Sequence, residues 1–186
     1  PIAEGPVIQE ADLRALSAGT TTDALFEMVE KLRKEIDIPF VFMSYMNPLY
    51  VYGTQRFMKR CKEVGIDGVI IPDVPFEEKD ELSQFCKEFG IELISMIAPT
   101  SQERIEMIAK EAEGFLYCVS SLGVTGVRKE IRTDIAGMVE HVRKVTDVPV
   151  AVGFGISTPE QAKKMAAVSD GAIVGSAIVK IVAQYQ

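Results

Sequence analysis

The chain has 186 residues, and its 47% apolar and 25% charged composition supplies enough apolar side chain for an ordinary globular core. A net charge of −7 excludes nucleic acid as the natural partner, because no basic stripe is present to displace counterions. No apolar run is long enough to cross a bilayer and no charged-then-apolar leader opens the sequence, so a cytoplasmic location and no membrane partner are expected.

Cys61, Cys86 and Cys118 lie far apart, and His141 is the one histidine, so packed thiols are expected and a metal centre is not.

In chain order, Leu25, Met28, Val29, Leu32 and Ile36 recur at helical spacing, and the apolar run 38–42 then reads as a strand. Phe57, Met58, Cys61 and Val64 mark a second helix before the run 68–71. Leu82, Phe85, Cys86 and Phe89 mark a third, with Gly90 as its stop, followed by the run 91–97. Thr100 and Glu103 fit a capping box ahead of another helix, and the run 115–119 follows. Met138, Val139 and Val142 mark a helix before the run 148–152. Ser157 and Glu160 fit a second capping box around Pro159, and the run 172–174 ends at Gly175 and Ser176, which open a last helix.

The runs are nearly continuous in Val and Ile, as strands buried on both faces of a parallel sheet require. Strands alternating with helices every roughly 25–30 residues mean an α/β chain of βα units. Either a doubly wound sheet or a closed (β/α)8 barrel fits. About six strands are visible against the eight of a complete barrel, which usually takes about 250 residues. The expectation is therefore a single partial TIM-barrel domain over 1–186, truncated to about six βα units, with the remainder mainly upstream of Pro1.

Two glycine-bearing loops follow consecutive late strands: Gly153-Phe154-Gly155-Ile156-Ser157 and Gly175-Ser176. In barrels such loops hold phosphate, since glycine admits the backbone close to the oxygens and a helix start offers unpaired N–H groups. Tight βα turns would use the same residues. Asp73 follows the run 68–71 and either serves a site or orders its loop. Glu77 and Glu78 suit a first helical turn. Tyr45 and Tyr117 are expected at strand ends and, with Phe154, would wall a flat apolar pocket. His141 falls within a helix and reads as a boundary residue. Residues 122–129, glycine-bearing and long, suit a mobile lid as well as a static loop.

Pro1-Ile2-Ala3-Glu4-Gly5-Pro6, Pro72-Asp73-Val74-Pro75, Ser121-Leu122-Gly123-Val124-Thr125-Gly126, Gly153-Phe154-Gly155-Ile156-Ser157 and Gly175-Ser176-Ala177-Ile178-Val179-Lys180 follow one another as in the tryptophan synthase α subunit family, which the chain resembles over essentially its whole length. The resemblance implies retro-aldol cleavage of indole-3-glycerol phosphate to indole and glyceraldehyde 3-phosphate in tryptophan biosynthesis. It implies a β subunit partner that carries the pyridoxal phosphate, and no cofactor in this chain.

By the same resemblance Glu4 takes the place of the family's loop aspartate, with one methylene more, and is catalytic with Tyr117. Thr125, Gly126, Gly153, Phe154, Gly155, Gly175 and Ser176 bind substrate, and Met43 and Met96 line the pocket. Thr125 matches a lid threonine, and Tyr45, Asn47 and Pro48 lie where the β subunit would dock. The family's second-strand glutamate has no counterpart in the sequence, so the chain by itself is expected to be inactive. Another phosphate barrel would place a lysine at a strand end, and none is found here. A non-catalytic module that docks on a β subunit is the alternative of a different class.

Overall fold

The computed structural model describes residues 4–120, 134–153 and 155–185. It forms two compact units, one of Leu16–Ile94 and one of Pro1–Ala15 with Ser95–Gln186. Helix α1 (Pro6–Ser17) opens the described chain and runs across the boundary between their sequences.

In the first unit, α2 (Thr22–Leu32) leads to β1 (Val41–Met43), α3 (Met46–Tyr52) and α4 (Thr54–Val64). Then come β2 (Gly68–Ile70), a 3-10 turn at Phe76–Glu78, α5 (Asp80–Phe89) and β3 (Glu92–Leu93). The strands pair in parallel in the order β1-β2-β3, with Val41 opposite Gly68 and Gly68 opposite Glu92. The second unit continues with β4 (Met96–Ile97), α6 (Gln102–Lys110), β5 (Leu116–Val119) and α7 (Ile135–Val142). It closes with β6 (Val150–Gly153), α8 (Pro159–Ala166), β7 (Gly171–Ala172) and α9 (Ser176–Val182), its strands parallel in the order β4-β5-β6-β7.

The continuous apolar runs have the predicted consequence: β2 is buried at every residue, and β5 and β6 at most of theirs. The run 91–97, read from sequence as one strand, is two. Ile94 N–H donates to Val69 O, whereas Ser95 O accepts from Tyr117 N–H, so the ladder changes partner between them. Apolar periodicity cannot show a change of partner, because it reports burial and not which strand lies alongside.

The face of α2 also differs from its expectation. Phe26 and Val29 are buried, whereas Leu25 is 40% and Met28 47% exposed. Phe26 lies 5.2 Å from Phe57 and 5.6 Å from Phe42 between ring centroids, and this aromatic cluster sets the rotation of the helix. The expected faces of α4 and α7 are buried as read. Gly90 ends α5 at φ +67°, a left-handed conformation that a side chain would strain. Both caps fall one residue later than expected, and only the second is a reciprocal box. Ser101 caps α6 by accepting from Arg104 N–H, and Thr158 caps α8 in a reciprocal box with Gln161.

One polar device recurs at the N-terminal ends of the strands. Arg33, the C-cap of α2, pairs with Asp67; the Asp67 carboxylate accepts from Phe40 N–H at 2.7 Å, and Asp67 N–H donates back to Phe40 O at 2.8 Å. In the other unit Arg143, the C-cap of α7, pairs with Asp170 at 3.0 Å. The Asp170 carboxylate accepts from Val150 N–H at 2.9 Å, and Asp170 N–H donates to Val150 O at 2.9 Å. In each case an aspartate-glycine step ties a strand start to its neighbour and to the preceding helix. This is the end of a parallel barrel that serves stability.

Replacing Asp67 by alanine removes the acceptor of the Phe40 amide and the ionic partner of Arg33, whose guanidinium keeps its bonds to Gly65 O and Ile38 O. The expected loss is about 1–3 kcal/mol, read from the urea midpoint at unchanged slope.

The Val150 amide and, after it, Arg143 hold the Asp170 carboxyl below its ordinary value of 3.8. The unfolded chain therefore binds this proton first. The contribution is present above pH 3.8 and is lost as pH falls through and below it. Acid titration of unfolding is expected to show a shallower decline for Asp170→Asn than for the parent.

Candidate functional site

β5 and β6 lie side by side at the centre of their sheet, and they position the polar residues. Met96, Tyr117 and Ala151 are register partners across β4, β5 and β6. Gly153, two residues beyond Ala151, therefore shares the face of Tyr117. The contact is close: a Cβ added to Gly153 would lie 2.7 Å from Cζ and 2.8 Å from Cε1 of the tyrosine ring. Glycine is needed at this strand end because an aromatic ring occupies the space a side chain would take. Ser120 N–H donates to Gly153 O at 3.0 Å, which ties the C-terminal ends of β5 and β6 together.

Tyr117 was expected at the end of a strand, but it is the second residue of β5 and only 6% exposed. The cause is its large ring, which packs along the sheet face. Burial pushes its phenol up to about 12, with the negative charge of Glu4 and then Cys118 adding to the effect. Glu4 is half-buried ahead of α1, and its charge acts on the Tyr117 phenol. A phenol in this state is neutral near pH 7. It can donate a hydrogen bond or pack as a wall, and it does not act as a phenolate base.

Beyond β6, Gly155 takes φ +82° and Ile156 is buried. Ser157 N–H and Oγ–H both donate to Gln161 Oε1, at 2.8 and 3.0 Å, so α8 organises the loop through one amide side chain. Gly175 is the N-cap of α9 with no side-chain cap, Ser176 is its first residue, and a Cβ on Gly175 would meet nothing within 4 Å. Phe154, Thr125, Gly126 and the expected lid at 122–129 lie outside the described residues.

Met96 is half-buried beside Tyr117, while Met43 ends β1 in the other unit with half its surface exposed. Asp73 accepts from Met46 N–H, at 2.9 Å to Oδ1 and 3.1 Å to Oδ2, and so anchors the first turn of α3. Of its two readings, the structural one has the geometry. His141 stands 3.1 Å from Glu106 between α7 and α6, a helix-boundary position. Among the described residues no group of three or more His, Cys, Asp or Glu is placed to hold a metal ion. No described helix is long and apolar enough to cross a membrane. Sequence reasoning missed Ser120, which is fully buried at the end of β5. The available signal was a hydroxyl closing an otherwise apolar run.

Parallel strands alternating with helices, with a buried phenol on β5 and glycine-bearing loops after β6 and β7, place the chain in the α/β class of (β/α)8 barrels, present here in part. A family model for the tryptophan synthase alpha chain matches residues 1–186. The tryptophan synthase alpha chain of Lacticaseibacillus casei is 49% identical over 99% of this chain and 69% of its own length. The solved alpha subunit from Campylobacter jejuni superposes with a TM-score of 0.86 at 37% identity, over 97% of this chain and 72% of its own. A chain from the Pyrococcus furiosus α2β2 complex gives 0.87 at 35%, over 99% and 75%. The chain belongs to the tryptophan synthase alpha chain family, and it is an enzyme subunit of tryptophan biosynthesis.

Proposed function

We propose that the chain acts as a carbon–carbon lyase of the cytoplasm, cleaving indole-3-glycerol phosphate to indole and glyceraldehyde 3-phosphate. The observation that carries this reading is the grouping of Glu4 with the buried Tyr117 phenol over Gly153, in a chain of this family.

The reaction breaks the bond between indole C3 and the first glycerol carbon. C3 gains a proton, the adjacent hydroxyl loses one, and its carbon becomes the aldehyde. The bonding electrons return to the ring, which regains its aromaticity. Protonation at C3 places positive charge on the ring nitrogen. The Glu4 carboxylate, facing that N–H, stabilises it most in the transition state. Tyr117 and Met96 wall the indole, and Phe154 does so by resemblance. Backbone N–H groups at Gly155, Gly175 and Ser176, with Gly126 and the lid Thr125 by resemblance, take the phosphate. The proton transfers fall to the family's second-strand glutamate, which has no counterpart in residues 1–186.

The Pyrococcus furiosus relative is solved as an α2β2 complex. The same assembly is proposed here, with the exposed Asn47 and Pro48 beside Tyr45 on the docking side. Pyridoxal phosphate belongs to that β partner.

Calorimetry with an uncleavable indole-alkyl phosphate, glycerol phosphate and free indole tests the reading without requiring turnover. The joined ligand is expected to bind well beyond either half. Equal affinity for glycerol phosphate alone would leave only a generic phosphate site, and no binding of any of the three would overturn the assignment.

A further inference from the structure

We propose that Gln9 is a positioning residue that holds the Glu4 backbone so that its carboxylate meets the indole nitrogen; this rests on the retro-aldol reading above. Gln9 lies one turn into α1, and its Nε2 donates to Glu4 O at 2.6 Å. Its own backbone N–H donates to Gly5 O at 3.0 Å. One residue thus ties down both carbonyls at the junction where the loop enters the helix. The clamp closes on the carbonyl of Glu4 and not on its carboxylate, so the side chain is aimed without its charge being neutralised by the clamp.

Chain stiffness supports the same arrangement. Pro6 opens α1 with φ fixed by its ring, and Gly5 is buried beside it. The Glu4 side chain has one more rotatable bond than an aspartate would. A longer carboxylate reaches a productive geometry only if its Cα is held well, because a displacement of about 1 Å costs roughly 10²-fold in rate. Core packing does not explain Gln9, since its side chain is on the exposed face of α1. Burial is the main reason the Tyr117 phenol is raised, and the Glu4 charge adds to it, so Glu4 lies within electrostatic reach of this phenol.

The test uses Gln9→Met, which removes the donor while keeping an unbranched stem of similar helix propensity, so the fold is retained. Binding of the uncleavable indole-alkyl phosphate is expected to weaken by about three- to tenfold, with glycerol phosphate unchanged. In a Glu4→Ala background, Gln9→Met is expected to add no further loss, because the acceptor it aims at the indole N–H is gone. A merely structural clamp would move both ligands and would act in both backgrounds. Unchanged binding of the joined ligand, or equal weakening of both ligands, overturns the proposal. If the parent chain itself binds the joined ligand no better than glycerol phosphate, the retro-aldol reading fails first and takes this role with it.

Discussion

Replacing Glu4 by glutamine is expected to lower the rate of indole release by roughly 10²-fold, with a much smaller effect on substrate affinity. Glutamine keeps the shape and still accepts a hydrogen bond from the indole N–H, so ground-state contacts survive. It cannot balance the positive charge that appears on nitrogen when C3 is protonated, so the loss falls on kcat. The assay requires a chain that also carries the family's second-strand glutamate, in complex with a β subunit. Glu4→Asp is the companion: it restores the family's usual residue and is expected to stay within about tenfold of the parent, the difference measuring what the extra methylene does. Indole release undiminished in Glu4→Gln would remove Glu4 from the chemistry.

Gly153→Ala is expected to destabilise the protein by about 1–3 kcal/mol and to weaken binding of the indole-alkyl phosphate. The added methyl would lie within 2.7 Å of Cζ and 2.8 Å of Cε1 of Tyr117. The ring is buried and cannot swing clear without moving β5 or its neighbours. Second-site variants separate the causes. Tyr117→Phe removes the hydroxyl, the atom nearest the added methyl, but leaves Cζ and Cε1 within 2.8 Å, so it is expected to give partial relief. Tyr117→Leu removes the ring and is expected to recover part of the stability lost in Gly153→Ala. Denaturant unfolding of the two single variants and the double variant gives the coupling, expected at about 1 kcal/mol or more. Strict additivity would mean that the ring is not what Gly153 accommodates.

The partial barrel was legible because burial on both sheet faces leaves a continuous apolar run, and the run at 68–71 became the wholly buried β2. The loop after β6 was legible as a turn because Gly155 takes a positive φ that few residues besides glycine adopt. Tyr117 and Glu4 were legible as candidate site residues only through the family's ordered motifs, since composition and periodicity do not distinguish a site phenol from a core one.

Other features were out of reach of periodicity. The helical spacing in α2 named Leu25 and Met28, whereas Phe26 with Val29 turned out to face the core. Packing against Phe42 and Phe57 chose that rotation, and those contacts join residues far apart in sequence. The division of the run 91–97 into β3 and β4 depends on which strand lies alongside, Val69 for Ile94 and Tyr117 for Ser95.

The two aspartate clamps share one local pattern, an arginine at a helix C-cap, a strand, then aspartate-glycine. Yet nothing in either stretch by itself announces that Asp67 will meet Phe40 or that Asp170 will meet Val150. By itself the sequence determined the alternation of strands and helices, the turn positions and the family, because these follow from local periodicity, glycine conformation and motif order. Only the tertiary structure decided that Gly153 must stay bare beneath Tyr117, and that the Glu4 charge acts on that phenol. Such facts are distances between residues far apart in the chain, and they exist only once the strands lie side by side.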